Sequence, residues 1–208
     1  MSLLLNVPET DKAIAQAAGA LVDNSQHWYL PNAAYGRLKE VQQWILPPSA
    51  YLILSDILLI AQGSCVCPHC GHTNKVISLA SDSFYEKDMN ERDEEVWLEQ
   101  DFFSIFHRIT TISDNLKEFL TDNFSRYHLT QPTDNTPAYW YNHCEQCHQA
   151  IDDHRLMQSP GCPFHPRNEE EATAITLHAY PMKFAPLMDA GYERNYHQRL
   201  IAEFAKRI

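Results

Sequence analysis

Two C-x-x-C pairs constrain this chain more than any other feature: Cys67-Pro68-His69-Cys70 and Cys144-Glu145-Gln146-Cys147. At this spacing one tight turn presents two thiolates to a single ion at about 2.3 Å, with the backbone N–H groups of the turn aimed at the sulfurs. Gly71, directly after the first pair, permits the left-handed backbone with which such a knuckle turns back on itself. One pair is a weak signal, but two predict a tetrahedral site. The expectation is a structural Zn2+ held by Cys67, Cys70, Cys144 and Cys147, with the two knuckles at the ends of neighbouring hairpins in a zinc-ribbon arrangement. The interval between Cys70 and Cys144 is long for a plain ribbon, so an acidic stretch and a helix from Asp114 to Tyr127 must form an insertion. Two alternatives stay open. A redox dithiol would need thioredoxin-like surroundings, which the sequence lacks. Cys162-Pro163-Phe164-His165 offers a C-x-x-H pair that could join Cys144 and Cys147 in place of Cys67 and Cys70. His69, His72, His143 and His148 flank the knuckles, either as outer partners or as ordinary polar surface residues.

With 208 residues, 44% of them hydrophobic and 21% charged, the chain can build a real core, and two unequal parts are expected. The longest apolar run, Tyr51 to Ala61, is broken by Ser55-Asp56 and is far short of the roughly 20 residues of a membrane-crossing helix. The first residues have no basic n-region, so a cytoplasmic location is expected, where six cysteines read as thiols or ligands rather than disulfides. The formal charge of -11 owes much to the stretch from Asp82 to Asp101, where nine acids face only Lys87 and Arg92. Such a surface repels nucleic-acid phosphates and attracts basic protein surfaces; it also reads simply as a solvated loop.

The chain begins as a small β-α-β-β-α unit. Leu3 to Val7 reads as a strand, and Thr10 stands where it would cap a helix from Asp11 to Ala18 that stops at Gly19. Leu21-Val22 can pair with His27 to Leu30 across the turn Asp23-Asn24-Ser25. A helix over 33–45 presents Leu38, Val41 and Ile45 on one face. Pro47-Pro48 then marks a boundary between residues 1–48 and 49–208. The second part reads as a buried strand over 51–60, a returning strand over 76–80 and a strand over 102–112. Next come a helix capped by Ser113 and running to Tyr127, a loop over 131–138, and strands at 139–141 and 174–180. A terminal helix over 192–208 aligns Tyr196, Leu200, Phe204 and Ile208. The fold class expected is α+β, with the second part cored by a four-cysteine ribbon.

Two resemblances accompany these motifs. Leu5-Asn6-Val7-Pro8, Gly19-Ala20, Asp23 and Trp28-Tyr29-Leu30-Pro31 resemble a small domain of unknown function in DNA-processing proteins of mobile elements, over roughly the first 45 residues. The chain departs from it at Leu21-Val22, where that family has Arg-Trp, and at Gln26, near a usual Lys, so basic and aromatic groups are missing. Cys67 to Gly71, Asn142 to Cys147 and Pro160 to Pro166 are similar, over roughly 100 residues, to uncharacterised bacterial proteins with two C-x-x-C knuckles. In that group the positions of Cys162 and His165 are usually not ligands, which implies the four knuckle cysteines as the ligand set.

A site of four thiolates is closed and cannot activate water, so no catalytic residue is assigned. The order of His143-Cys144-Glu145 after the first C-x-x-C does not fit a zinc deaminase. An HNH-like nuclease is the remaining enzyme alternative: Asp153-His154 would bind metal and supply the base, and Asn168 would orient the histidine. The favoured reading is a non-enzymatic binding protein with a basic protein partner, of the kind that neutralises a toxin. Ten tyrosines and four tryptophans would supply rigid contact area. A nucleic-acid accessory role is the second alternative, resting on Arg194, Arg199, Lys206 and Arg207 in the terminal helix, which Glu193 and Glu203 share.

Overall fold

The computed structural model describes residues 2–131, 133, 137–159 and 162–208; parts of the expected loop over 131–138, and Pro160-Gly161 of the second resemblance, lie outside the described residues. The N-terminal unit comprises β1 (Ser2–Leu5), α1 (Lys12–Ala17), β2 (Leu21–Val22) and β3 (Trp28–Pro31), an antiparallel sheet in the order β1-β3-β2. Asp23 makes the β2–β3 turn as expected, its carboxylate accepting from the Ser25 and His27 N–H groups. Thr10 does not cap α1: its hydroxyl goes to Asp11, and the helix starts only after a 3-10 turn over Glu9–Asp11. The helix expected over 33–45 is also replaced. Two 3-10 turns, Asn32–Arg37 and Gln42–Trp44, flank the single α-helical turn α2 (Leu38–Val41). Leu38, Val41 and Trp44 are buried at every third position, a spacing that 3-10 turns accommodate on either side of the α-helical turn.

The strand expected over 51–60 is two strands, β4 (Leu52–Leu54) and β5 (Ile57–Val66). Between them the Ser55 hydroxyl accepts from the Ile57 N–H and the Asp56 carbonyl from the Met182 N–H, which redirects the chain. There follow β6 (Thr73–Ser81), β7 (Phe84–Met89), β8 (Glu95–Gln100), β9 (Ser104–Ile112), α3 (Asp114–Asn123), β10 (Tyr127–Thr130), β11 (Tyr139–His143) and β12 (Ala150–Ile151). The chain closes with α4 (Asp153–Met157), α5 (Glu169–Ala172), β13 (Thr176–Pro181), β14 (Leu187–Tyr192), α6 (Tyr196–Phe204) and β15 (Lys206–Arg207). The acidic stretch is therefore an ordered hairpin, β7–β8, in which Tyr85 faces Glu99 and Lys87 faces Trp97.

A nine-stranded sheet runs in the order β15-β13-β5-β6-β9-β14-β4-β7-β8, and a second sheet is β10-β11-β12. The large sheet curls at β9, which pairs with β6 only at Ile105 and Ser104 and then crosses to β14. Two features mark the bend: Arg108 has φ 51°, and Gly191 lies so close to the His107 ring that a Cβ there would sit 2.6 Å from it. Alternation along β5 fills both sides. Leu58 and Ile60 join Leu79, Phe84, Phe106 and the α3 residues Leu116 and Leu120 in one cluster. Leu59 and Ala61 join Leu156, Phe164 and Ile201 in another. Burial on both faces is why the run reads as continuously apolar. A third cluster unites Leu3, Leu30 and Val41 of the N-terminal unit with Ile53, Ala185 and Leu187.

Two helix boundaries also differ from expectation. Ser113 stands at the N-cap of α3, but its hydroxyl makes no capping bond and accepts instead from the Leu187 N–H; the helix stops at Asn123, and Tyr127 enters β10. The terminal helix is α6 alone, capped by Asn195, with Leu200 and Ile201 buried and Tyr196 and Ile208 exposed. Among the described residues no helix is long and apolar enough to cross a membrane.

Candidate metal centre

The β5–β6 hairpin carries Cys67 and Cys70, and the β11–β12 hairpin carries Cys144 and Cys147. The two turns have the same internal bonding. In the first, Cys67 N–H donates to the His72 carbonyl and Gly71 N–H to the Cys67 carbonyl; in the second, Cys144 N–H donates to Gln149 and His148 N–H to Cys144. Each needs a left-handed residue directly after its second cysteine. Gly71, at φ 75°, was legible in the sequence; its counterpart is His148, at φ 59°, which was not. The repeat is thus one of backbone geometry rather than of residue type.

The four sulfurs face one another. Cys67 Sγ lies 3.6 Å from Cys147 Sγ and Cys70 Sγ 3.5 Å from Cys144 Sγ, each close pair spanning the two hairpins. All four Sγ atoms lie within 4.8 Å of one another. A disulfide would need about 2 Å. A tetrahedron with metal–sulfur bonds of about 2.3 Å has edges of about 3.8 Å, so the group is placed to hold one metal ion.

The electrostatics point the same way. Burial pushes the Cys144 thiol up, but the Cys147 and Gln146 N–H groups, the Cys70 thiol and the Asn74 side chain outweigh it and hold it at about 6. At Cys70 the His72 N–H favours the thiolate, yet desolvation and the three neighbouring sulfurs push it up to about 12. The clustered thiols thus resist ionising together, and a bound cation would supply the charge that four neighbouring thiolates require.

Two buried asparagines fix the hairpins against each other, and the sequence reading assigned no role to either. The Asn74 amide donates to the His72 carbonyl, 3.0 Å, and its Oδ1 accepts from the Glu145 N–H, 2.7 Å, bridging the two knuckles directly. Asn142 pairs with the main chain of Ile77 in both directions, accepting from its N–H and donating to its carbonyl, each at 2.8 Å. Beyond them, Glu145 is held ionised by Arg126 and lies 3.7 Å from His72 Nε2. His143 stacks on His128 with ring centres 3.7 Å apart and reaches Thr130 Oγ1; His69 and His148 are exposed.

Cys162 and His165 do not belong to the sulfur group. His165 Nδ1 contacts the Met157 carbonyl at 2.8 Å, and its ring stacks on His197. Of the residues named for a nuclease, Asp153 and Asn168 make structural hydrogen bonds. Asp153 is 5% exposed and accepts from the Arg108 N–H, supporting the backbone at the bend of β9. His154 is exposed, and Asn168 caps α5. Comparison of the sequence with family models and curated proteins, and of the fold with solved structures, returns no match.

Proposed function

We propose that the ion is zinc, that its role is structural, and that the protein is a non-enzymatic binding protein whose acidic β7–β8 hairpin captures a protein with a basic surface. One observation carries the reading: four cysteine sulfurs lie within 4.8 Å of one another, and on a single ion they would take all four tetrahedral positions, leaving none for water or substrate. The ion then ties the β5–β6 and β11–β12 hairpins together in a ribbon-like clamp, and recognition falls to the surface. The hairpin supports that part of the reading. It lies at one end of the nine-stranded sheet, and Asp88, Glu91, Asp93 and Glu99 are exposed on it without an ion pair among the described residues. Acids presented this way speed encounter with a basic partner, as inhibitors of basic enzymes require.

The metal and the partner are tested separately. Elemental analysis should find one zinc per chain, lost in Cys67→Ser and retained in Cys162→Ser; full retention in Cys67→Ser refutes the four-thiolate clamp. For the partner, tagged protein from the native host should retain a basic protein in a salt-sensitive manner, and the Asp88→Lys/Glu91→Lys/Glu99→Lys variant should release it. Equal retention by that variant removes the hairpin from the interface.

A further inference from the structure

Four of the nine arginines of this acidic protein are paired with carboxylates: Arg37 with Glu40, Arg126 with Glu145, Arg167 with Glu171 and Arg207 with Asp82. Arg194 and Arg199 are not, and no ion pair involves either among the described residues. Both line the same cleft, of about 480 Å³, between the start of β9 and α6. In a chain with 27 acids against 16 Lys and Arg, two guanidiniums left unpaired in one cleft are notable, because a nearby carboxylate would lower their energy.

Aromatic rings hold them in place. The Arg194 guanidinium lies 4.8 Å from the Phe102 ring centre and that of Arg199 lies 5.7 Å from the Tyr196 ring centre, so each has a face packed while its N–H edges stay available. Phe103 adds apolar wall. Gln198, 6% exposed, fixes the floor: its Oε1 accepts from the Ile105 N–H at 2.9 Å. Asn195 already accepts from the Gln198 N–H at the first turn of α6, so binding at this cleft depends on the side chains rather than on the helix end. The nearest acid in sequence, Glu193, is engaged by the Asn195 amide.

We propose that this cleft binds a phosphomonoester carried on a planar ring, of the nucleoside monophosphate class. The two guanidinium edges take the phosphate oxygens, and Phe102, Phe103 and Tyr196 provide the apolar and stacking surface for the ring. A volume of about 480 Å³ suits such a ligand. No knuckle cysteine and no residue of β7 or β8 lines the cleft, although Phe102 packs on Phe84 at the start of β7.

Calorimetric titration of the zinc-loaded full chain with adenosine 5′-monophosphate, adenosine, inorganic phosphate and a short single-stranded oligonucleotide tests the idea. The monophosphate should saturate and bind at least about tenfold tighter than adenosine or phosphate alone, since it combines both contacts. Arg194→Gln and Arg199→Gln should each weaken it about tenfold with an unchanged melting temperature, both arginines being exposed. No saturable binding of the monophosphate, equal binding of adenosine, indifference to both substitutions, or binding of the oligonucleotide alone would each overturn the proposal.

Discussion

Replacing Asn142 with Ala isolates what holds the second hairpin against the large sheet. Ile77 lies opposite Gln62 in the β5–β6 ladder, but its N–H and carbonyl point away from β5, and β9 pairs with β6 only farther along, at Ala80 and Ser81. The Asn142 side chain therefore stands in for a missing strand, donating one bond and accepting another. Asn142 is 5% exposed and Ile77 7% exposed, so truncation strands two buried main-chain groups at once. Each buried unpaired group costs about 1–3 kcal/mol, giving an expected loss of about 2–6 kcal/mol. A cleft of about 260 Å³ opens beside both residues, and water entering through it moves the result toward the lower figure. Guanidinium unfolding of the zinc-loaded protein measures the loss, and hydrogen exchange at the Ile77 amide reports the site directly. The reasoning fails if stability falls by less than about 1 kcal/mol while the Ile77 amide stays protected.

Two further substitutions follow from backbone angle and from burial. Gly71 has nothing within 4 Å of the position a Cβ would take, so Gly71→Ala tests the left-handed angle alone and should cost about 1–2 kcal/mol in denaturant unfolding. His148→Gly should change stability in the favourable direction by less than about 1 kcal/mol, glycine's greater unfolded freedom offsetting part of the relief. Burial raises the Asp153 carboxyl from an ordinary 3.8 to about 7, against the Arg108 N–H, which favours the anion. A raised folded-state value means that this group's contribution to stability is fully present below about pH 4 and lost as pH rises through about 7. Asp153→Asn keeps an acceptor for Arg108 and should flatten that slope, gaining up to about 4 kcal/mol at pH 8 relative to its effect at pH 4, as read from melts at both pH values.

The sulfur cluster was legible because its chemistry is local: two cysteines three apart in one turn define half a site wherever the turn lies. The hairpins that carry it were legible for the same reason. Errors arose where a local pattern served two structures equally well. Leu38, Val41 and Trp44 fit a 3-10 repeat as readily as one helical face, and the chain takes a mixture, α-helical at Leu38–Val41 and 3-10 on either side. In β7–β8 the charge density masked a strand alternation, Phe84-Tyr85-Glu86-Lys87 against Val96-Trp97-Leu98-Glu99, whose partners are visible only when paired. β14 was unread because Asp189 and Gly191 are poor strand formers; Gly191 is there because the His107 ring leaves no space for a side chain.

Asn74 and Asn142 show why a ligand set alone underdetermines a site. Each lies in a strand and carries an amide that single-sequence reading treats as polar decoration. An amide can both donate and accept, so it can satisfy one main-chain group on each hairpin or both groups of one residue, which neither a hydroxyl nor a carboxylate does as well. The long stretch of chain between the knuckles makes the closure of this loop entropically costly. The structure meets that cost with sulfurs on one level and asparagines on the next, and the two act in series: the amides preset the hairpin spacing at which four sulfurs come within 4.8 Å. An ion held by all four sulfurs would be coupled to hairpin docking, so a substitution at Asn142 that touches no ligand should weaken metal retention by the factor by which it lowers the docked fraction of the ion-free protein.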